Sequence, residues 1–306
     1  MTTNADNGEK AKKGQNKNKK SDVERILIFE PHPDDVAYQI SGTVYKWLQE
    51  RKEVMICTVT TGNNSTFKSN VTKDQIKQIM MEEQKKAMDL LGIKLENRIQ
   101  WQYEDLGIDP ALDRQKLLKD MITLIRSFKP ITIVTMDPKN ILMEENPDHR
   151  AVASVGFEAT AMAAYPNVYR EHLEQGLSQH FVSRILFYMS PEPNVFVDIS
   201  GDPLEMKKKL GAVYESQLEL MIGETDARLR NLGLDPEVME VPFTGLWEAV
   251  CESSAQGHAE EGMLFYKSHP DLAPRVPLEY AEAFRLYYLG AVEKLRNLLP
   301  KELQTL

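Results

Sequence analysis

Three apolar runs rich in β-branched residues, Arg25–Phe29, Val54–Thr60 and Ile131–Met136, are separated by stretches of helical periodicity. Parallel neighbours can be joined only by a long return path. A chain that alternates in this way is therefore expected to form a parallel sheet with its crossover helices packed on both faces. Val44, Trp47 and Leu48 mark the first helix, and Ile76, Ile79, Met80, Glu83, Ala87, Leu90 and Leu91 recur at three- and four-residue steps until Gly92 stops the second. A short strand near Ile99-Gln100-Trp101 and a helix through Leu117, Met121 and Ile125 continue the alternation. Strands at Arg184–Met189 and Val195–Asp198 follow, with a helix from Pro203 to about Tyr214. The expected fold class is α/β, a Rossmann-like open, mostly parallel sheet with helices on both faces and a mainly helical C-terminal part.

With 306 residues and 42% hydrophobic content, the chain can bury a large core. We read residues 23–306 as a single α/β domain with a C-terminal extension from about residue 218. Residues 1–20 carry six lysines against Asp6 and Glu9, so a net charge of -9 divides into +4 there and -13 in the remainder. An acidic folded part argues against nucleic-acid binding through phosphate neutralisation. The leader, residues 1–22, is almost free of apolar side chains and is expected to be a disordered, solvated basic tail. No apolar stretch reaches membrane-spanning length and no secretory signal core is present, which predicts a cytoplasmic protein without a membrane span. Cys57 and Cys251 give no disulfide framework and no zinc-thiolate spacing, and both read as buried, inert thiols. Oligomeric state is left open, a homo-oligomer included.

The first apolar run empties directly into Pro31-His32-Pro33-Asp34-Asp35. Open α/β sheets keep their sites at the carboxyl ends of strands, so the histidine and the two acids stand where chemistry is expected. His32 and Asp35 are close enough in sequence for one loop to direct both at a single ion, and catalytic zinc needs about three protein ligands with one position open. Asn146-Pro147-Asp148-His149 opens a later helix, with Asn146 at the N-cap and Pro147 at the first helical position, so that His149 in the first turn is a candidate third ligand. Asp34 is then free to take a proton from attacking water and return it to the leaving group. The plainer alternative is that Asp34 and Asp35 only cap the next helix and that His32 is a turn residue. His172 and His180 lie in a polar stretch and read as surface residues. His258 and His269 cannot be placed from sequence.

These motifs resemble the PIG-L/LmbE-like family of zinc-dependent de-N-acetylases, in which an apolar strand runs into His-Pro-Asp-Asp and a later Pro-Asp-His opens a helix. The similarity runs from about Arg25 to Gln217. Supporting it are Ser41-Gly42-Thr43, the Glu83–Gly92 helix end, Asp105, and Val197-Asp198-Ile199 followed by Lys207 and Ser216-Gln217. The resemblance implies His32, Asp35 and His149 as metal ligands, Asp34 as general base, and Asn146 and Asp105 as substrate or oxyanion contacts. It also implies zinc, with Fe2+ as the other candidate, and hydrolysis of an N-acetyl or related acyl group on an amino sugar such as N-acetylglucosamine or its glycoconjugate.

Asn146 stands where the family has histidine, and either donates a hydrogen bond to the oxyanion or caps its own helix. Met80-Met81 replaces a substrate-binding arginine, Val36 replaces an acid, and Tyr214 replaces a later histidine. Two other readings compete with a zinc amidase. Two histidines and a carboxylate also ligate non-haem iron, and a former deacetylase could bind a sugar or a protein partner without turnover.

Overall fold

The computed structural model describes residues 23–108, 113–234 and 243–305. The basic leader, read from sequence as disordered, lies outside the described residues. The chain runs through β1 (Arg25–Glu30), α1 (Asp35–Gln39), α2 (Ser41–Gln49), β2 (Glu53–Thr60), α3 (Lys73–Leu91), β3 (Arg98–Tyr103), α4 (Arg114–Phe128), β4 (Thr132–Met136) and α5 (Pro147–Met162). It continues with α6 (Glu171–Glu174), β5 (Arg184–Tyr188), β6 (Val195–Asp198), α7 (Asp202–Ala212), α8 (Glu215–Asn231), α9 (Phe243–Ser268), β7 (Ala281–Tyr288) and α10 (Lys301–Gln304). Among the described residues no helix is long and apolar enough to cross a membrane.

The strands form one sheet in the order β3-β2-β1-β4-β5-β7-β6. From β3 to β5 every pairing is parallel, and β7 inserts antiparallel between β5 and β6. Side chains of a strand alternate between faces. Ile26 and Ile28 therefore point into one core with Val36, Val44, Trp47 and Leu210, while Leu27 and Phe29 join a second with Leu117, Met121, Ile125 and Val152. Because β1 is covered on both faces, its sequence reads as an unbroken apolar run. The chain leaves β1 toward β2 and β3 on one side and later places β4 on the other. That reversal opens a crevice at the carboxyl ends of β1 and β4, the usual place for a ligand in such sheets.

Strand β7 was not legible in a stretch read as mainly helical. It carries Glu282 and Arg285 into the sheet, and both charges are answered by residues distant in sequence. Glu282, 1% exposed, accepts hydrogen bonds from Gly42 N (3.1 Å), Thr43 N (2.7 Å) and Lys207 Nζ (2.7 Å). Lys207 also donates to Gln39 O at 2.8 Å. One buried carboxylate thus satisfies the open N–H groups of α2, fixes α7 against α2, and ties both to the last strand. Arg285 lies 3.3 Å from Asp137 just after β4.

His172 corrects the surface reading. It is 1% exposed, and its Nδ1 faces the Arg126 guanidinium at 3.0 Å while Nε2 faces Thr123 Oγ1 at 3.3 Å. A guanidinium only donates, so Nδ1 accepts and the ring is neutral with its proton on Nε2. Arg126 itself is fully buried and donates to the carbonyls of Ala163, Tyr165 and Val168, closing the end of α5. His180 is half-buried against Pro130 O. Cys57 and Cys251 are buried free thiols, as read from sequence.

Glu282→Ala strands Lys207 without its counter-ion and the α2 amides without an acceptor, and should cost about 3–5 kcal/mol in denaturant unfolding. A loss below about 1 kcal/mol would mean that the pair does not hold β7 to α2. For His172, burial first and then the Arg126 charge lower its pKa, with Lys119 acting in the same sense and Glu171 opposing. The unfolded chain therefore takes up a proton below about pH 6.5 while the folded chain resists it, so this contribution is complete above that pH and is lost as pH falls. Between pH 7 and 5 the native protein should lose more stability than His172→Gln. Parallel curves would remove His172 from the pH dependence.

Candidate active site

The loop between β1 and α1 is fixed at several points. Pro31 O accepts from Thr60 N (2.9 Å) and Thr60 Oγ1 (3.0 Å), and Pro33 O accepts from Tyr214 Oη at 2.5 Å. Tyr214, at the family's histidine position, is thus a buried brace for this loop. Glu30, fully buried at the end of β1, accepts from Val36 N (3.0 Å), Thr58 Oγ1 (2.5 Å) and Gln84 Nε2 (3.2 Å). Glu30 binds one of the open N–H groups in the first turn of α1, a task that the capping alternative had given to the two aspartates. Asp34 occupies the N-cap position of α1, yet its side chain makes no cap hydrogen bond. Asp35 accepts from His32 N at 2.8 Å.

Asn146 does cap its own helix, accepting from Asp148 N (2.8 Å) and His149 N (3.4 Å) through its carbonyl oxygen. Of the two roles weighed for it, the cap is the one the geometry displays. It occupies Oδ1 and leaves the amide nitrogen uncommitted by that interaction. With the helix start so fixed, His149 meets the β1 loop. His32 Nδ1 lies 3.0 Å from His149 Nε2 and 3.4 Å from Asp35 Oδ2, and His149 Nε2 lies 3.4 Å from Asp35 Oδ1.

The outer ring nitrogens face carboxylates as well. His32 Nε2 is 3.2 Å from Asp105 Oδ1 and 3.4 Å from Asp148 Oδ2, and His149 Nδ1 is 3.4 Å from Glu144 Oε1. These contacts are at ion-pair distance without the alignment of hydrogen bonds, so both buried nitrogens lack a hydrogen-bond partner. Carboxylates behind imidazole ligands orient the rings and raise their basicity in metal sites.

Two candidate donor groups share His32, one with Asp35 and His149 and the other with Asp105 and Asp148. The second is closed. Asp148, fully buried, accepts from Leu106 N (2.7 Å) and Ile108 N (3.4 Å), and Asp105 accepts from Asn64 N (3.0 Å) and Ser65 Oγ (2.9 Å). Asp105, expected among the substrate contacts, is therefore buried behind His32, where it faces the ring rather than a substrate. The first group fits a cation. Two imidazole nitrogens and a carboxylate oxygen converge within 4.8 Å of one another, the donor set and number of a catalytic zinc site.

Charge divides the two adjacent acids. Burial acts to raise the pKa of Asp35, but His149 and His32 outweigh it and hold the carboxylate well below its usual range. Burial, reinforced by the Asp35 carboxylate, pushes Asp34 up to about 7. Burial opposes the charged form of both histidines; Asp35 and Glu144 nevertheless raise His149 to about 9, and Asp105, Asp148 and Asp35 raise His32 well above its ordinary value.

Sequence reading missed Glu30, Glu144 and Asp148 as supporting carboxylates. Asp148 lies inside a motif that was quoted, but nothing local indicates that its side chain turns back to His32. Tyr188 was also missed; its buried hydroxyl at the end of β5 has no hydrogen-bond partner. His258 lies on α9, within electrostatic reach of Lys207 and Glu282, while exposed His269 stacks on Phe265 at 4.2 Å; neither joins the cluster.

The chain is similar to several known proteins. A family model described as PIG-L, GlcNAc-PI de-N-acetylase, matches residues 27–160. Diacetylchitobiose deacetylase of Thermococcus kodakarensis is 32% identical over 197 residues, which cover 64% of this chain and 71% of that protein. The structure of N,N'-diacetylchitobiose deacetylase from Pyrococcus horikoshii aligns with a TM-score of 0.68 at 25% identity, over 87% of this chain and 84% of the other. A 4-carboxy-2-hydroxymuconate hydratase from Pseudomonas putida aligns with a TM-score of 0.61 at 15% identity, over 86% and 96% of the two chains. That last likeness is one of fold alone, so the reaction has to be argued from the site. The extent of similarity to the Thermococcus deacetylase, together with the match over the segment that carries both histidine motifs, shows that this chain belongs to the PIG-L family of de-N-acetylases.

Proposed function

We propose that the protein is a metal-dependent hydrolase that removes an N-acetyl group from an amino sugar or its conjugate. The observation that carries this reading is Asp34, which stands at a helix N-cap without capping, beside three converging donor atoms. In this reading His32, Asp35 and His149 hold the metal, and zinc is the ion best matched to two imidazoles and one carboxylate. When bound, the metal supplies Lewis acidity toward the amide carbonyl and lowers the pKa of water.

The remaining work belongs to the chain. Asp34 takes the proton from the attacking water and delivers it to the departing amine, so one carboxyl serves as base and then as acid. Asp35 cannot share that task, because it is tied to His32 N and to both imidazoles. Asp105, Asp148 and Glu144 keep the two rings turned toward the centre. Amino-sugar substrates are supported by the diacetylchitobiose specificity named for the two deacetylase relatives. A cytoplasmic location is part of the same reading, supported only by the sequence pattern.

Asp34→Asn should retain stoichiometric zinc while kcat for acetate release from an N-acetylated sugar falls about 100- to 10,000-fold. Near-native turnover in that variant would remove Asp34 from the mechanism. Chelation should abolish acetate release and added zinc restore it, whereas His149→Ala should fail to retain zinc by elemental analysis after desalting. Full activity of the chelated protein would overturn the metal-dependent reading.

A further inference from the structure

Helix α1 begins at the metal loop and ends against a cavity that takes no part in the chemistry above. Tyr38 and Gln39 from its last turn line that cavity, together with Lys207 from α7, Leu218 and Ile222 from α8, and Trp247 from α9. Met221 and Val250, 42% and 52% exposed, stand at its mouth. The cavity measures about 330 Å³, where packed elements ordinarily leave few voids larger than a water molecule. That is room enough for a small molecule.

Lys207 narrows the occupant. It is 5% exposed, and its Nζ donates to Gln39 O at 2.8 Å and to Glu282 Oε1 at 2.7 Å. An ammonium carries three N–H bonds, so one remains for a ligand in the cavity. The charge is already met by Glu282, and a carboxylate entering here would face that buried anion as well as the cation. A neutral oxygen acceptor meets no such opposition. Leu218, Ile222 and the Trp247 ring make the body of the cavity apolar, and apolar cavities take up small aromatic molecules. The rings of Tyr38 and Trp247, 4.8 Å apart at 68°, form a corner on which a third ring can pack edge to face.

The same corner bears on the metal loop. Tyr38 Oη donates to Tyr214 O at 3.4 Å, and Tyr214 Oη donates to Pro33 O at 2.5 Å, between His32 and Asp34. Trp247 cannot yield, because its Nε1 donates to Lys208 O at 2.9 Å and its ring lies so close to Gly211 that a Cβ there would meet it at 2.2 Å. An occupant is therefore felt by Tyr38 and the loop behind it. We propose that the cavity is a second binding site, for a small uncharged aryl compound with one oxygen acceptor, whose occupancy steadies the loop that carries the metal ligands. The effect on the loop rests on the metal-dependent reading, whereas the binding itself does not. Linkage then requires zinc and the occupant to strengthen each other's binding by the same factor.

Benzyl alcohol is the probe, with benzoate as its charged counterpart. Binding to the full chain is followed by saturation-transfer NMR, and zinc affinity by competition with a chelator. Benzyl alcohol should bind saturably with a Kd of about 1 mM or tighter, and benzoate at least about tenfold more weakly. Saturating benzyl alcohol should tighten zinc binding about fivefold or more. Val250→Trp, at the exposed mouth, should abolish both effects while leaving zinc affinity without the probe within about twofold of native. Equal binding of the two probes, binding that survives Val250→Trp, or a zinc affinity indifferent to the alcohol would overturn the proposal. If zinc is not retained under any condition while benzyl alcohol binding is still lost in Val250→Trp, the metal-dependent reading fails and the aryl site stands.

Discussion

The imidazole of His32 is the point at which three loops meet. Its own loop follows β1, Asp105 comes from the end of β3, and Asp148 and His149 come from the start of α5 after β4. A single ring whose two nitrogens face opposite clusters can hold one orientation only if every contributing strand end is in register. The parallel pairing of β1 with both β2 and β4 supplies that register, and Glu30, Thr60 and Tyr214 hold the connecting loop. Much of the polar structure at this edge of the sheet serves to present one side of His32 to the centre and to bury the other.

The same arrangement explains how two adjacent aspartates come to differ. In sequence Asp34 and Asp35 are equivalent, and the difference arises from what each is allowed to touch. Asp35 gains a backbone N–H and two imidazoles, which fix it as an anion. Asp34 gains burial and a like-charged neighbour, and these shift it toward neutrality. Environments that push paired acids apart in this way assign them separate roles. Glu30 is what permits the division, because it satisfies an amide in the first turn of α1 that Asp34 would otherwise be drawn to cap.

Sequence made legible the features that depend on neighbours in the chain. The βα alternation, the Gly92 stop, the Asn146 cap with Pro147 behind it, and the pairing of His32 with Asp35 all rest on periodicity or short spacing, while His149, 117 residues on, joins them through its place at a helix start and the family motif. What it missed depends on distant partners. Strand β7 resembles a surface segment because of Glu282 and Arg285, and it becomes a buried strand only when Lys207 and Asp137 arrive to neutralise them. His172 looks polar and exposed among its neighbours, but Arg126, 46 residues away, carries it inside. Asp105 is an acid of ordinary appearance until His32 is placed against it.

The departures from the family pattern are similarly resolved by packing. Met80, at the position expected for arginine, is fully buried and receives the Gln217 amide on its sulfur at 2.8 Å. Gly62, with φ of +64°, lies so close that an added Cβ would meet the Met80 side chain at 3.1 Å. A charged guanidinium at that depth would need a counter-ion, and Glu83, three residues along α3, is occupied by Ser216 N and Oγ. The methionine therefore joins α3 to the start of α8. A position to which the family resemblance would give a substrate contact is here part of the buried packing that holds α3 against α8.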